Sequence, residues 1–231
     1  MAIVNSLRMV MYTQPVPVIT LDGPAGVGKG TIAGLLAQRL HWHLLDSGAI
    51  YRVAALAALQ NNLALDDETA LTELIKSLKI EFKDGQAILN GQDVSAAIRN
   101  EACASATSQI AALPHVRAAL LALQRQFQQA PGLIADGRDM GTVVFPDSAH
   151  KFYLTASAEI RAERRLKQLN EQGLSANICD LIQDINARDE RDSNRPVAPL
   201  KPATDAILID TSFLDQEGVF NEVWQHIQAS I

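Results

Sequence analysis

Residues 23–31 read Gly-Pro-Ala-Gly-Val-Gly-Lys-Gly-Thr, and the stretch 18–34 around them holds five glycines and one lysine. Glycine costs conformational entropy, so such a density implies a backbone that must turn sharply or be approached closely. Gly23, Pro24, Ala25, Gly26, Val27, Gly28 and Lys29 follow the spacing G-x-x-x-x-G-K, between an apolar run (VPVITL, 16–21) and a helical pattern. Main-chain N–H groups aimed into one concavity make an anion cradle. A helix beginning near Gly30 adds the positive end of its dipole. Lys29 then supplies a mobile charge for the β- and γ-phosphates of a nucleoside triphosphate. The plainer alternative, a strand-to-helix turn with a solvated lysine, explains neither the spacing nor the context. One detail departs from the usual form: Gly30 follows the lysine and the hydroxyl comes at Thr31. Mg2+ is therefore expected to rest on water and phosphate oxygens, with Thr31 and Asp136 acting through water.

Hydrolysis of a triphosphate needs one nucleotide site, whereas transfer to a second nucleotide needs two that face each other. The arginines point to two. Arg52 lies five residues after Ser47, just beyond Tyr51, early in a helix that follows the second strand. Arg138 stands in ADGRDMGTVVFPD between Asp136 and Asp139, where an apolar strand ends. In a doubly wound sheet both loops open on the same carboxyl edge as the glycine loop, and an acid ending a strand there assists Mg2+ or its waters. A surface Asp-Gly turn is the bland reading of DGRD, but a turn needs no arginine between two carboxylates. Segment 188–195 carries Arg188, Arg191 and Arg195 among Asp189, Glu190 and Asp192. By itself this is a solvated helix face. At i, i+3/i+4 spacing, however, the arginines are expected on one side, as a row able to close over transferring phosphates. Arg161, Arg164 and Arg165 of the preceding helix would frame the same lid.

These groups need elements to position them. VPVITL predicts a buried parallel strand, TIAGLLAQRL a helix, HWHLLD a strand, and SGAIYRVAALAALQNN a helix with Ser47 as its N-cap. That order opens a doubly wound α/β fold. Between 63 and 102 the texture changes: Asp84-Gly85 and Asn90-Gly91 separate short alternating runs, the mark of a small antiparallel insertion. A long helical stretch follows, broken at Pro114. PGLIAD, KFYLTA and AILIDTS are further strands, SAEIRAERRLKQLNEQG a charged helix ending at Gly173, and EGVFNEVWQHIQ a closing amphipathic helix.

Composition narrows the classes. The chain has 231 residues, 48% hydrophobic and 20% charged, enough for one sizeable core. Its net charge of −6 is a poor match for nucleic acid polymers or anionic membranes, so a phosphate ligand must be held by local cations and amides. No run of about 18 apolar residues spans a membrane, and the first 17 residues lack a signal-peptide pattern. They read as a frayed extension in which Met9 or Met11 is an alternative start. Cys103 and Cys179 are far apart and read as structural thiols in a reducing cytoplasm. His41, His43, His115, His150 and His226 form no cluster, and Trp42 and Trp224 read as core or flank residues.

The stretches DGPAGVGKGT, LLDSGAIYR, GLIADGRDMGTVVFPD and RDERDSNRPVAPL, taken together, resemble those of bacterial cytidylate kinases, which are P-loop nucleoside-monophosphate kinases. The resemblance runs from about residue 16 to 231. It implies a P-loop doubly wound parallel sheet, three-layered α/β/α, with an antiparallel-β monophosphate-binding insertion and a helical lid. The expected organisation is an N-terminal extension (1–15) and a kinase domain (16–231) with core 16–62, 103–165 and 197–231, insertion 63–102 and lid 166–196. It implies transfer of phosphate from Mg-ATP to CMP or dCMP, with Gly23 to Thr31 and Arg161 on ATP. Ser47, Tyr51, Arg52 and Arg138 would meet the CMP phosphate region. Ser108, Arg117 and Asp139 would read the cytosine edge, Arg188 and Asp192 would contact sugar or phosphate, and Arg195 would meet the acceptor side as the lid closes. Lys29, Arg138, Arg188, Arg191 and Arg195 would carry the catalysis. A cytoplasmic monomer is expected. The alternatives are a thymidylate-, adenylate- or shikimate-type kinase, or a nucleotide-binding switch without catalysis.

Overall fold

The apolar run at the start of the kinase-like region is strand β1, Val18–Asp22, buried at all five positions. In the computed structural model residues 15–83 and 85–230 are described, so the N-terminal extension to residue 14 and Asp84 of the first expected turn lie outside them. β1 leads through the glycine loop into α1 (Lys29–Leu40), then β2 (His43–Asp46) and α2 (Ser47–Gln60). The inserted region contains α3 (Glu68–Ser77), β3 (Ile80–Lys83), β4 (Gln86–Leu89) and β5 (Gln92–Asp93). The chain continues with α4 (Glu101–Ile110), α5 (Pro114–Arg125), β6 (Leu133–Asp136), β7 (His150–Thr155), α6 (Ala158–Glu171), α7 (Ile178–Ser193), β8 (Ile207–Asp210) and α8 (Gln216–Ile227).

β1, β2, β6, β7 and β8 form a parallel sheet in the order β2-β6-β1-β7-β8. Strand alternation sorts its side chains to two faces. Val18, Leu45, Leu133 and Ala135 pack with α2, α4 and α5 on one side. Ile19, Leu21, Ile134, Phe152 and Ile209 pack with α1 and α8 on the other. The expected three layers follow from that alternation. No helix of the described residues is long and apolar enough to cross a membrane.

Within 63–102, β3, β4 and β5 form a three-stranded antiparallel sheet, as expected. Asn90 (φ 51°) and Gly91 (φ 86°) make the left-handed turn between β4 and β5. Helix α3, which opens the region, has no counterpart in the sequence reading. It buries Leu71 and Ile75 in the same cluster as Ala87, Leu89, Val94 and Ile98. That cluster is continuous with the core on one face of the parallel sheet, so the insertion shares its apolar interior with α2 and α4.

Two local expectations are corrected. The N-cap of α2 is Asp46, whose Oδ1 accepts from Ala49 N at 2.9 Å, while the Ser47 hydroxyl donates to Gln124 Oε1 at 2.7 Å. An extended aspartate at the strand end is free to cap, whereas Ser47 already belongs to the helix. Cys103 is buried and contacts the Arg52 carbonyl, but Cys179 is exposed in the first turn of α7 and serves no packing role.

Candidate active site

Gly23 follows β1 with φ 143°, and a Cβ there would stand 2.0 Å from the Leu154 carbonyl oxygen, so no side chain fits. Gly28, at φ 91°, occupies the N-cap of α1 in the left-handed region. Lys29 is thereby the first residue of α1 and is buried, its ammonium donating to Pro24 O at 2.7 Å. The same nitrogen lies 4.0 Å from Asp136 Oδ1, at the carboxyl end of β6. Burial, and then the positive charge of Arg138, depress the Lys29 pKa. Burial raises that of Asp136, against the pull of Lys29. The carboxylate also faces the start of α1, with Oδ2 at 3.4 Å from the place a Cβ would occupy on Gly30. Thr31 is exposed on the first turn of α1.

Asp22 was not singled out in the sequence, although it ends β1 as Asp136 ends β6. Its two carboxylate oxygens accept from Met140 N and Gly141 N, each at 2.8 Å. The strand that enters the glycine loop is thus tied to the segment that bears Arg138 and Asp139. Burial raises Asp22 to about 7, despite those two hydrogen bonds. Between the ordinary carboxylate value and 7 the folded chain holds a proton that the unfolded chain has released. Its contribution to stability therefore falls as pH rises through that window and is constant above it. The stability advantage of the parent over Asp22→Asn is expected to shrink from pH 4 to pH 7 in urea titrations. A pH-independent difference would contradict this.

Across the carboxyl edge lies a cleft lined by Ser47, Gly48, Tyr51, Thr107, Ser108, Ala111, Arg117, Gly137, Arg138, Asp139, Arg188, Asp192 and Arg195. Parallel pairing places Asp46 of β2 beside Asp136 of β6, so the loops after those strands open together. Arg117 and Asp139 form a buried ion pair, and Arg117 Nη1 also donates to Ala111 O at 3.1 Å. Ser108 Oγ is buried with no hydrogen-bond partner in the protein. Burial pushes the Tyr51 phenol up to about 12, so it is a neutral hydroxyl near pH 7. Asp192, buried at the end of α7, accepts from Arg138 Nε at 3.2 Å and pairs with Arg195. Burial and the nearby Arg138 lower Arg188 to about 10, which leaves it cationic at neutral pH. Lys29, Arg138 and Arg188 are close enough to repel one another, and an anion between like charges in a buried site removes that cost.

Several residues named from the sequence stand elsewhere. Arg191 is exposed and folds back on its own helix, Nε to Ala187 O at 3.1 Å, so the expected row of three arginines does not form. At 3.6 residues per turn the neighbour of Arg188 on the cleft side is Asp192, and Arg195 lies past the helix end. Arg52 is outside the cleft lining: its Nη1 donates to Ile98 O at 2.9 Å, although its charge reaches Arg188. Arg164 frames no lid but is pinned to the β8–α8 loop, donating to Thr211 Oγ1 at 3.1 Å and Thr211 O at 2.5 Å. Arg161 meets the glycine loop at the Ala25 carbonyl, 3.2 Å from its Nη1. Gln124 is a buried side chain the sequence gave no reason to choose, since a lone glutamine on an amphipathic helix carries no motif.

Comparison with known proteins bears on this geometry. The family model described as cytidylate kinase matches residues 19–229. The chain is 56% identical over 221 residues to a cytidylate kinase of Shewanella denitrificans, covering 93% of this chain and 97% of that one. It is 58% identical over 202 residues to a cytidylate kinase of Shewanella baltica, covering 85% and 88%. A relative from Shewanella sediminis, also called cytidylate kinase, is 54% identical over 93% of this chain and 96% of its own. With a glycine cradle, a facing cleft of guanidinium groups and a family match over nearly all its length, the chain belongs to the cytidylate kinase family.

Proposed function

We propose that the protein transfers the γ-phosphate of Mg-ATP to CMP or dCMP, giving ADP and CDP or dCDP. The observation that carries this reading is the convergence of Lys29, Arg138 and Arg188 between the glycine loop and the cleft holding the Arg117–Asp139 pair. The glycine loop takes the donor phosphates on its amides. Lys29 exchanges the Pro24 carbonyl for a phosphate oxygen, which turns a buried unfavourable charge into a paired one. Arg138 and Arg188 hold the acceptor phosphate, and Asp192, through Arg138 and Arg195, fixes two of the guanidinium groups. The acceptor oxygen attacks the γ-phosphorus in line. It is already ionised at neutral pH, so no general base is required, and the protein acts by positioning and charge neutralisation.

Cytosine is read by complementary polarity. Asp139 accepts from the N4 amino group, and Arg117 donates to N3 or O2, while the unpartnered Ser108 hydroxyl can do either. Uracil would set an oxygen against the carboxylate, and a buried mismatch of that kind is strongly discriminated. The insertion at 63–102 would support the acceptor side and segment 166–196 would act as the lid.

For Mg2+, the donor set fits a largely hydrated ion. Asp136 offers a hard oxygen beside the first turn of α1, and among the described residues no group of three or more His, Cys, Asp or Glu is gathered to hold a metal. Asp136 would hold the ion through water, and the ion when bound would neutralise charge on the β- and γ-oxygens.

Acceptor-panel kinetics test the reading. CMP and dCMP are expected to exceed UMP, AMP, dTMP and shikimate in kcat/KM by about 10²-fold or more. A preference for any of the others would overturn it. A single nucleotide site per chain in calorimetry with CMP and a non-hydrolysable ATP analogue would point to a switch.

A further inference from the structure

Arg161 and Asp189 connect the glycine loop to the helix that arms the acceptor cleft. Arg161 is only 4% exposed. Its Nε donates to Ala156 O at 3.0 Å, its Nη1 to Ala25 O at 3.2 Å and its Nη2 to Asp189 Oδ2 at 2.5 Å. Its Cβ lies 3.2 Å from the place of a Cβ on Gly26, so the side chain rests directly on the loop. In a trans peptide the C=O and N–H point opposite ways. Drawing the Ala25 carbonyl to Arg161 therefore turns the Gly26 N–H away from the guanidinium, where it is free for a phosphate.

On α7, Asp189 sits between Arg188 and Asp192, both of which line the cleft. Consecutive helical residues project about 100° apart, so one turn of α7 presents Asp189 to Arg161 and its neighbours to the cleft. The pair is not optimised for stability. Asp189 Oδ1 is buried without a hydrogen-bond partner, and such an orphan costs free energy. A buried ion pair is in general weak evidence of stabilisation. Arg161 and Asp189 do, however, form the hydrogen-bonded path from Ala25 to the backbone that carries Arg188 and Asp192.

We propose that Asp189 is a positioning residue: through Arg161 it fixes α7 to the donor loop, so that donor binding sets Arg188 and Asp192 for the acceptor. The consequence is positive coupling between the two nucleotide sites, equal in both directions. This rests on the two-site reading given above.

Calorimetric titration of the full chain with CMP, alone and with a saturating non-hydrolysable ATP analogue, tests it. The analogue is expected to tighten CMP binding to the parent by about fivefold or more, the usual scale of coupled sites. In Asp189→Asn that ratio is expected to fall below about twofold, with CMP affinity in the absence of analogue little changed. Asp189→Glu, which retains the charge, is expected to restore part of the ratio. A parent ratio near one, or a parent-like ratio in Asp189→Asn, overturns the proposal. Equal weakening with and without analogue signals a merely structural role and overturns it too. If Asp189→Asn does not fold, Asp189→Ser is titrated and judged by the same ratio. Failure of the parent to bind CMP at all would instead remove the two-site reading, and the coupling with it.

Discussion

Lys29→Ala is expected to lower kcat by about 10²–10³-fold, equivalent to roughly 3–4 kcal/mol of lost transition-state stabilisation. The same change is expected to leave the fold intact or slightly more stable. Lys29 is buried, and its charged form is disfavoured first by desolvation and then by Arg138. In the free protein its ammonium has the Pro24 carbonyl as hydrogen-bond partner and Asp136 only at 4.0 Å. On the proposed reading, a cation held at such a cost is compensated only when phosphate arrives. Thermal midpoint and kcat measured on the same preparation separate the two effects. Turnover within threefold of the parent would show that Lys29 does not touch the transferring phosphate. A large drop in midpoint would show that it holds the loop together rather than the ligand.

Asp139→Ala has the opposite balance, because its main partner is inside the protein. Removing the carboxylate leaves Arg117 buried without its counter-charge, and breaking one side of a buried pair costs about 3–5 kcal/mol. It also removes the acceptor proposed for the cytosine amino group, so KM for CMP is expected to rise by about 10–10²-fold in whatever protein remains folded. The double replacement Arg117→Met with Asp139→Leu distinguishes these contributions. Two apolar side chains of similar size are expected to recover most of the stability, since a buried pair is often matched by hydrophobic packing. Discrimination of CMP from UMP should not recover. A double variant as unstable as the single one would mean that the cost lies in cleft shape rather than in uncompensated charge.

The two variants differ because the two ends of the site are built differently. At the proposed donor end the chain offers main-chain amides and one cation, with left-handed glycines at 26 and 28 and a glycine at 23 that no side chain could replace. At the proposed acceptor end it offers guanidinium groups already paired with Asp139 and Asp192. Asp22 joins them, its carboxylate gripping the amides that follow Asp139 one residue before the glycine loop begins.

Much of this was legible from local pattern. The glycine spacing, the strand before it and the helix after it each constrain the backbone over a few residues, and local constraint survives in a one-dimensional string. The acid that ends β6 and the turn at Asn90-Gly91 were readable for the same reason, whereas Asp46 at the end of β2 was passed over for Ser47 as the helix cap. Helix α3 was not, because its short amphipathic run sits among turn residues and is stabilised by packing on the core. Arg191 misled because helical spacing gives two flanks of equal standing, and only the docking of α7 on α6 and the cleft decides which flank is inside. Arg164 misled similarly: its partner, Thr211, lies 47 residues away.

By itself, then, the sequence determined that a glycine-rich turn with one lysine leads from a first parallel strand into a helix, and it supplied the arginines proposed for a second anion. Tertiary structure alone decided which arginines line the cleft, that Arg161 and Asp189 bridge loop and helix, and that Gln124, Ser47 and Asp22 hold the walls. The physical reason is range: backbone conformation is set by neighbours in sequence, whereas the direction of a charged side chain is set by whatever oppositely charged or hydrogen-bonding group the fold brings within a few ångströms of it.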